Sequence, residues 1–461
     1  MQVLKRYGNL FQKVFDYDNL KLAHQKAKRD KSFYKEVKMV DADEDYYLIQ
    51  IQNMLMWKTY TVAPNDYKMF KKLDKGKVRE IFKLDYFPHR IIQHALMNVI
   101  EDILLKSFIG NTFSSIPERG IHLTLKRMSD GIKNDRIGTG HCLKMDVRKF
   151  YPSINQEICK QMFRRKFKDN DLLWLVDTIM DSMEGDKGIA IGSLFSQWAG
   201  NFYLSYFDHW LKEIKGVKYY YRYCDDLVIL HHDKDYLHGL RIEIRDYLVT
   251  KLNLGLNDNW QVFPTAIRGI DFVGYRHFID YVLLRKTTAK NMKRKLRKLL
   301  KKCQGGMKLT HGEWCSANSY KGWLKWANCY NLHNVYVKPL IPYCEDYYRE
   351  VIKKVKVYNK VRATMVTVPN IEVNKDTAYI RSNITQIDAE DFKGWEYDEI
   401  QYDKNEHVEL LQNELNETRE DNAYLWYENM NKDIKIEANE AEVALLWYEL
   451  MNGGILHDMV Q

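Results

Sequence analysis

One stretch near the middle of the chain, Tyr219 to Leu230, most narrows what this protein can fold into. Two runs rich in aromatic and β-branched residues flank an adjacent pair of carboxylates, Asp225 and Asp226. Neighbouring side chains on a strand point to opposite faces, so only a bend between two strands presents both acidic groups toward one place. The pattern predicts a β-hairpin with the two aspartates at its turn. Taken alone, the segment fits a metal site or an ordinary Asx-type turn about equally well.

The charge of the chain is unevenly distributed. The net charge is +9, but residues 386–461 hold 20 Asp and Glu against 5 Lys and Arg, a balance of −15 that leaves +24 for residues 1–385. A body this basic is typical of proteins with a polyanionic partner such as nucleic acid, because phosphate contacts release counterions. The acidic tail could occupy the basic surface or recruit a basic accessory protein.

The cysteines and the hydropathy pattern indicate the compartment. Seven scattered cysteines form no C-x-x-C pair, which argues against a disulfide scaffold and against a zinc site. No uncharged apolar run reaches the ~18 residues of a membrane span, and the first residues do not resemble a signal peptide. These features favour a cytoplasmic protein with no membrane segment.

Basic residues mark two places before the hairpin. Lys77 and Arg79 occupy alternate positions of a predicted strand at 75–84 and therefore share one face, which suits either a phosphate or plain solvent. Arg119 follows a proline near a predicted turn. Helices are predicted within 8–38 and over 90–100 from their apolar spacing.

An acidic residue and a glycine-rich loop lie between these basic residues and the hairpin. Asp146 ends a short predicted strand and is followed by two aromatic residues, Phe150 and Tyr151, while Asn155 is suited to cap the next helix. Residues 188–197 form a glycine-punctuated loop before a helix predicted over about 198–215. Glycines in such a loop allow the backbone to approach a ligand closely.

Together these segments resemble the polymerase domain of reverse transcriptases over roughly residues 60–340. Tyr223-Cys224-Asp225-Asp226 is similar to the family's Y-x-D-D box, and Asp146 with Tyr151 to its first catalytic motif. The loop at 191–197, with Ile191 in place of the glutamine usual in group II intron and retron enzymes, most resembles bacterial and phage enzymes. Those are the diversity-generating retroelement group and defence-associated, retron-like groups.

The resemblance implies an α+β fold with the right-hand polymerase architecture of fingers, an antiparallel-sheet palm and a helical thumb. An extra acidic, partly helical C-terminal region would follow. The expected divisions are an N-terminal helical extension at 1–75, fingers at 76–140, palm at 141–280, thumb at 281–345, a linker at 346–385 and the acidic region at 386–461.

The resemblance also implies roles for particular residues. Asp146, Asp225 and Asp226 would be the catalytic residues and the ligands of two Mg²⁺ ions, with Mn²⁺ as an alternative, because hard cations prefer oxygen ligands. Tyr151 would exclude a 2′-hydroxyl. The expected nucleotide-binding residues are Lys77, Arg79, Arg119, Tyr151, Gly192, Ser193 and Gln197. The expected primer- and template-binding residues are Tyr223, Gly274, Tyr275, Lys290 and Arg294.

One departure from the family concerns proton transfer. The family often carries a lysine, proposed to protonate pyrophosphate, in the segment similar to 254–261, and this chain has none between Lys251 and Arg268. Water or another side chain would then serve as the general acid.

The function that follows is RNA-directed DNA synthesis from a DNA or RNA primer with dNTPs. A phage or prophage diversity-generating retroelement is the expected setting, with antiphage defence as the alternative. An RNA-dependent RNA polymerase and a non-catalytic nucleic-acid-binding or assembly protein remain as rival interpretations.

Overall fold

The computed structural model describes residues 6–29, 31–74, 77–348, 356–364, 369, 371–373, 377–388 and 392–403, and at 72–74, 77–79, 356–359, 373, 377–378, 400 and 402–403 it describes the backbone alone. The chain divides into two compact units, the first comprising Met1–Lys295 with Ser319–Val335 and the second Leu296–Asn318 with Tyr336–Gln461. No helix within the described ranges is both long and apolar enough to cross a membrane.

The helices are α1 Phe11–Val14, α2 Tyr17–Lys28, α3 Lys35–Ala42, α4 Glu44–Met56, α5 Ile91–Leu105, α6 Ile121–Asn134, α7 Phe150–Ser153, α8 Gln156–Lys166, α9 Asn170–Met180, α10 Leu194–Tyr203, α11 Ser205–His209, α12 Lys234–Leu252, α13 Thr265–Arg268, α14 Lys286–Gln304, α15 His311–Lys325, α16 Tyr330–Leu332 and α17 Ile341–Tyr347. The strands are β1 Lys68–Asp74, β2 Lys77–Lys83, β3 His141–Asp146, β4 Tyr219–Tyr223, β5 Asp226–His231, β6 Gln261–Pro264, β7 Ile270–Phe272, β8 Tyr275–His277, β9 Val282–Leu284, β10 Lys356–Ala363, β11 Ile371–Val373, β12 Thr377–Asp388 and β13 Lys393–Asp403.

Several local predictions are confirmed. The helix predicted over 90–100 is the core of α5, and the strand predicted over 75–84 is β2, paired antiparallel with β1. Asn155 caps α8, since its side-chain oxygen accepts a hydrogen bond from the Ile158 amide at 2.9 Å. The helix expected from Trp198 begins earlier, at Leu194, because the Ser193 side chain caps it.

A four-stranded antiparallel sheet lies at the centre of the first unit, in the order β4-β5-β3-β6. The hairpin β4–β5 was predicted, but its connection is Cys224-Asp225, and Asp226 opens β5 rather than lying in the turn. The difference is one residue, and it arises because Tyr223 pairs with Asp226 across the hairpin.

The two faces of this sheet are buried in different cores. Leu143 and Ile229 belong to the large core formed with α5, α8, α10 and α12. Cys142 and Val228, from adjacent positions of the same strands, belong to a smaller core with α6 and β7. Because strand side chains alternate, Asp146 and Asp226 lie on the face of the smaller core, at the edge where that core ends.

The second unit contains a four-stranded antiparallel sheet in the order β10-β13-β12-β11. Arg381 is buried in it, with Glu372 and Glu399 each 2.8 Å from its guanidinium. β10, β11 and most of β12 lie within the segment predicted as a linker over 346–385, and their backbones pair there in this antiparallel sheet. The acidic region predicted from 386 begins as the end of β12 and β13, and its residues 404–461 lie outside the described part of the chain.

Candidate active site

The three predicted carboxylates come together at one end of the central sheet. Asp146, the last residue of β3, stands directly opposite Asp226, the first residue of β5. The Val147 amide donates a hydrogen bond to the Asp225 carbonyl at 3.2 Å. The antiparallel register brings Asp146 and Asp226 side by side although they are far apart in the sequence. The three acidic groups therefore lie at one end of the sheet, which we call the carboxylate edge.

The electrostatics of this edge favour a cation. The pKa of the Asp226 carboxyl is raised to about 6, chiefly by burial; the negative charges of Asp225 and Asp146 also raise it, and the positive charges of Lys144 and Arg285 lower it. A carboxylate held among like charges away from water is a costly arrangement. The oxygen ligands present are the kind that Mg²⁺ prefers, so the donor set fits a hard divalent cation in chemical type, although the ligand atoms of the three aspartates do not all lie within 4.8 Å of one another.

Asn257 is a site residue that sequence reasoning did not identify. Its side-chain amide donates a hydrogen bond to Asp146 Oδ2 at 2.6 Å, and its backbone amide donates to the Asp146 carbonyl at 3.0 Å. The side-chain bond orients the carboxylate, and the backbone bond holds Asn257 beside it. Asn257 lies in the segment 254–261, where this chain has no counterpart of the family lysine. The signal available in the sequence was the run of polar residues between α12 and β6.

A cleft of about 530 Å³ opens beside the carboxylates, on the same face of the sheet. Arg285 forms an ion pair with Asp271 at 2.5 Å, and the Lys144 ammonium donates to the Asp271 carbonyl at 2.6 Å. The residues that line it are Lys144, Met145, Asp146, Asp226, Asn259, Gln261, Phe263, Arg268, Gly269, Asp271, Arg276 and Arg285. The mixture of cations with the three aspartates gives a polar cleft suited to a charged ligand.

Tyr151, the aromatic residue expected to exclude a 2′-hydroxyl, lies next to the hairpin turn. Its hydroxyl is 3.6 Å from Cys224 Sγ, and its ring packs on α10 where Gly200 has no side chain. A Cβ at Gly200 would lie only 3.1 Å from the Tyr151 ring. Burial raises the pKa of the Tyr151 hydroxyl, so it stays protonated at neutral pH.

The glycine-rich loop contacts β2, the strand that contains the expected nucleotide-binding residues Lys77 and Arg79. The Phe82 amide of β2 donates to the Ile191 carbonyl at 3.0 Å, and Gly192 has a φ of +110° with Ile81 and Phe82 close by. Lys77 and Arg79 are on β2, but their side chains lie outside the described part of the structure. Their predicted role stays a prediction.

Ser193 has a structural task that the sequence did not predict. Its hydroxyl is buried and donates to Gln93 Oε1 at 2.8 Å, while the same oxygen caps α10 by accepting from the Ser196 amide. The hydroxyl is therefore occupied within the fold, and the expected nucleotide-binding role of Ser193 stays a prediction. Gln197, one turn along α10, is half-buried.

The remaining predicted binding residues are placed as follows. Arg119 is partly buried, and its guanidinium donates to the Ile109 carbonyl at 2.9 Å, so it braces its own loop. Tyr223 ends β4 beside the carboxylates and is half-buried. Lys290 and Arg294 are exposed on α14, and their expected contact with primer and template stays a prediction.

Gly274 and Tyr275, which were expected to contact the primer, pack against Trp323. Gly274 has a φ of +87°, and a Cβ there would lie 2.4 Å from the Trp323 ring. Tyr275 is fully buried, stacks on Trp323 with ring centroids 5.2 Å apart, and donates its hydroxyl to the Trp323 carbonyl. Gly274 thus leaves room for an aromatic contact within the fold, and the expected primer contact of these two residues stays a prediction.

A second residue missed at the sequence level is Arg222. It is fully buried in β4, where its guanidinium pairs with Asp208 and donates to the Cys224 carbonyl at 3.0 Å. Cys224 has a φ of +58°, a conformation that costs a non-glycine residue on the order of 1–3 kcal/mol. An arginine at an inward position between tyrosines was the available signal.

Comparisons with known proteins give only distant likenesses. No protein-family model and no curated protein matches the sequence. Among solved structures, the apo telomerase of Candida tropicalis is similar with a TM-score of 0.39 and 13% identity over 62% of this chain and 58% of that chain. The telomerase of Candida albicans in complex with the TWJ fragment of telomeric RNA is similar with a TM-score of 0.37 and 11% identity, covering 61% of each chain.

A telomerase of Candida tropicalis in complex with the same kind of RNA fragment gives a TM-score of 0.40 at 12% identity, over 66% of this chain and 57% of that chain. The chain thus spans less than two thirds of the length of the telomerase chains it matches. Because the TM-scores are below 0.5, the function proposed next rests on the geometry of the site.

Proposed function

We propose that this protein is an RNA-directed DNA polymerase with a right-hand architecture, which extends a primer on an RNA template with dNTPs. The observation that supports it most is the register of β3 with β5, which pairs Asp146 with Asp226 and leaves Asp225 in the adjoining turn. Nucleotidyl transfer needs carboxylates gathered on rigid strands, and this edge has them.

Two Mg²⁺ ions, with Mn²⁺ as an alternative, would be held by Asp146, Asp225 and Asp226. When bound, such ions lower the pKa of a primer hydroxyl and stabilise the charge that develops on the triphosphate. Asn257 holds the Asp146 carboxylate in place, since its amide bonds one carboxylate oxygen and leaves the other available. The protein groups therefore supply a pre-oriented anionic edge.

The choice of deoxynucleotides is assigned to Tyr151. Its ring is fixed between α10 and the hairpin turn, so it presents a rigid surface beside the carboxylates. A bulky ring at the sugar position rejects a 2′-hydroxyl by steric exclusion. The rival function, RNA synthesis from ribonucleotides, predicts the opposite preference.

The test is incorporation of labelled dNTPs on a primed RNA template by the purified full chain. Asp225→Asn should lower the rate on the order of 1,000-fold, because removing a charged group that stabilises the transition state costs several kcal/mol. Asp181→Asn is the matched control, since Asp181 is an exposed carboxylate paired with Lys160. Incorporation that survives Asp225→Asn unchanged would sink the proposal.

Sugar preference is tested in the same assay. We expect wild type to prefer dNTPs over rNTPs and Tyr151→Ala to accept rNTPs. A wild-type preference for rNTPs would favour the RNA polymerase alternative. An inactive wild type that still binds primed RNA would favour the non-catalytic binding protein.

For the biological setting we propose a phage or prophage diversity-generating retroelement, with antiphage defence as the alternative. The sequence of the loop at 191–197 supports this choice. A template repeat paired with a variable repeat beside the gene would support the retroelement, and sequencing the nucleic acid that copurifies with the protein would identify its template.

A further inference from the structure

A buried ion pair lies directly behind the carboxylate edge. The side chains of Arg222 and Asp208 are both fully buried, with Nε donating to Oδ1 at 2.8 Å and Nη2 donating to Oδ2 at 2.6 Å. Burying two charges costs desolvation that their attraction often fails to recover, so such a pair is weak evidence for a stabilising role. A role other than stabilising the fold is therefore needed to explain why this ion pair lies behind the carboxylates.

The guanidinium also bonds the hairpin turn. Nη1 donates to the Cys224 carbonyl at 3.0 Å and to Asn201 Oδ1 at 3.0 Å. That carbonyl belongs to the peptide bond between Cys224 and Asp225, so its orientation decides the direction in which the Asp225 backbone leaves the turn. The left-handed conformation of Cys224 is held in this way from one side.

The guanidinium itself is fixed by three separate parts of the chain. Asp208 comes from α11, Asn201 from α10, and Thr112 from the loop whose backbone pairs with Arg222 on the outer edge of β4. Arg222 points away from the carboxylate face, because residues that alternate along a strand face opposite sides. It can therefore act on the site only through the turn.

We propose that Arg222 is a positioning residue, which uses its Asp208 pair as an anchor to hold the Cys224-Asp225 turn and so sets the affinity of the carboxylate edge for divalent cations. This inference deepens the proposed polymerase function and rests on it. Lysine keeps the charge but lacks the planar fork of arginine, so it can reach Asp208 or the Cys224 carbonyl but cannot hold both in the same geometry.

The experiment compares Arg222→Lys with Tyr220→Phe. Tyr220 donates its hydroxyl to Asp208 Oδ1 at 2.7 Å, so Tyr220→Phe removes a hydrogen bond from the same buried carboxylate without touching the turn. Two readouts are taken on the full chain. One is the Mg²⁺ concentration for half-maximal dNTP incorporation, and the other is the affinity for Tb³⁺ from its sensitised luminescence.

For Arg222→Lys we expect both cation readouts to weaken by about 10- to 100-fold, as for other groups that orient metal ligands, with the KM for primed template unchanged. Tyr220→Phe should lower the thermal unfolding midpoint and leave both cation readouts as in wild type. The double variant Arg222→Lys with Cys224→Gly should recover part of the affinity, because glycine adopts a positive φ without strain.

The inference is overturned if Arg222→Lys binds both cations like wild type, or if Tyr220→Phe weakens them equally. Should Arg222→Lys fail to fold by circular dichroism, Asn201→Ala takes its place, since it leaves the ion pair and loosens Nη1; unchanged Tb³⁺ affinity in that variant overturns the inference. A wild type without polymerase activity refutes the proposed function instead, and the Tb³⁺ comparison still tests the role of Arg222.

Discussion

Replacing Gly274 by alanine tests the packing beside the candidate site. The residue has a φ of +87°, and an added Cβ would lie 2.4 Å from the Trp323 ring. The left-handed backbone costs alanine about 1–2 kcal/mol, and forcing a methyl group into the packed ring costs a further ~1–3 kcal/mol. The reduced entropy of the unfolded chain returns about 0.4–1 kcal/mol, so we expect a net loss of roughly 3 kcal/mol.

Gly185 provides a matched control. It has the same φ of +87° with nothing within 4 Å of an added Cβ, so Gly185→Ala carries the backbone cost alone. We expect Gly274→Ala to lower the free energy of unfolding by about 2 kcal/mol more than Gly185→Ala, the overpacking share, as measured by urea denaturation of the full chain.

A double-mutant cycle isolates the ring. In a Trp323→Leu background, Gly274→Ala should cost no more than Gly185→Ala, because the clashing atoms are gone, and the difference between backgrounds gives the coupling energy. Equal losses for Gly274→Ala and Gly185→Ala in the wild-type background would refute the reasoning, since they would mean that Trp323 moves aside at no cost.

Three further predictions concern the carboxylates, the loop and the pH dependence of stability. Asn257→Ala removes the 2.6 Å bond to Asp146 and should raise the Mg²⁺ concentration for half-maximal incorporation about tenfold, with template binding unchanged in a filter assay. Gly192→Ala places a Cβ 3.3 Å from the Phe82 carbonyl at a φ of +110°, and we expect the displaced loop to raise the KM for dNTP about tenfold while the KM for primed template stays constant. Burial lowers the pKa of His277 from 6.5 to about 4, so the stability it contributes is present above pH 6.5 and lost as the pH falls toward 4; His277→Leu should remove about 3 kcal/mol of that pH dependence, measured by urea unfolding at pH 7.5 and 4.5.

Features that depend on neighbouring residues were predictable. The two apolar runs around a carboxylate pair predicted the hairpin β4–β5, and Asn155 just ahead of a predicted helix predicted the cap of α8. Both are short-range effects, in which the residues that make the contact are only a few positions apart. The grouping of Asp146 with the hairpin was also anticipated, through the family resemblance.

The supporting contacts became visible only in the folded chain. The Asn257 bond to Asp146 spans 111 positions, and the guanidinium of Arg222 reaches Thr112 across 110. Tyr275, expected to contact a primer, is buried against Trp323. Long-range packing determines the partner of each polar side chain and the face of each strand that is buried. Local sequence periodicity does not predict either of them.

The sequence by itself therefore determined that acidic groups stand at a strand turn within a basic α+β body. The tertiary structure decided their register, the partners that hold them, and the sheet formed by β10 to β13 where a linker and the start of an acidic, partly helical region were expected. The physical reason is that propensity and capping act within a turn or two of the chain, whereas strand register and burial arise only when distant segments exclude water together.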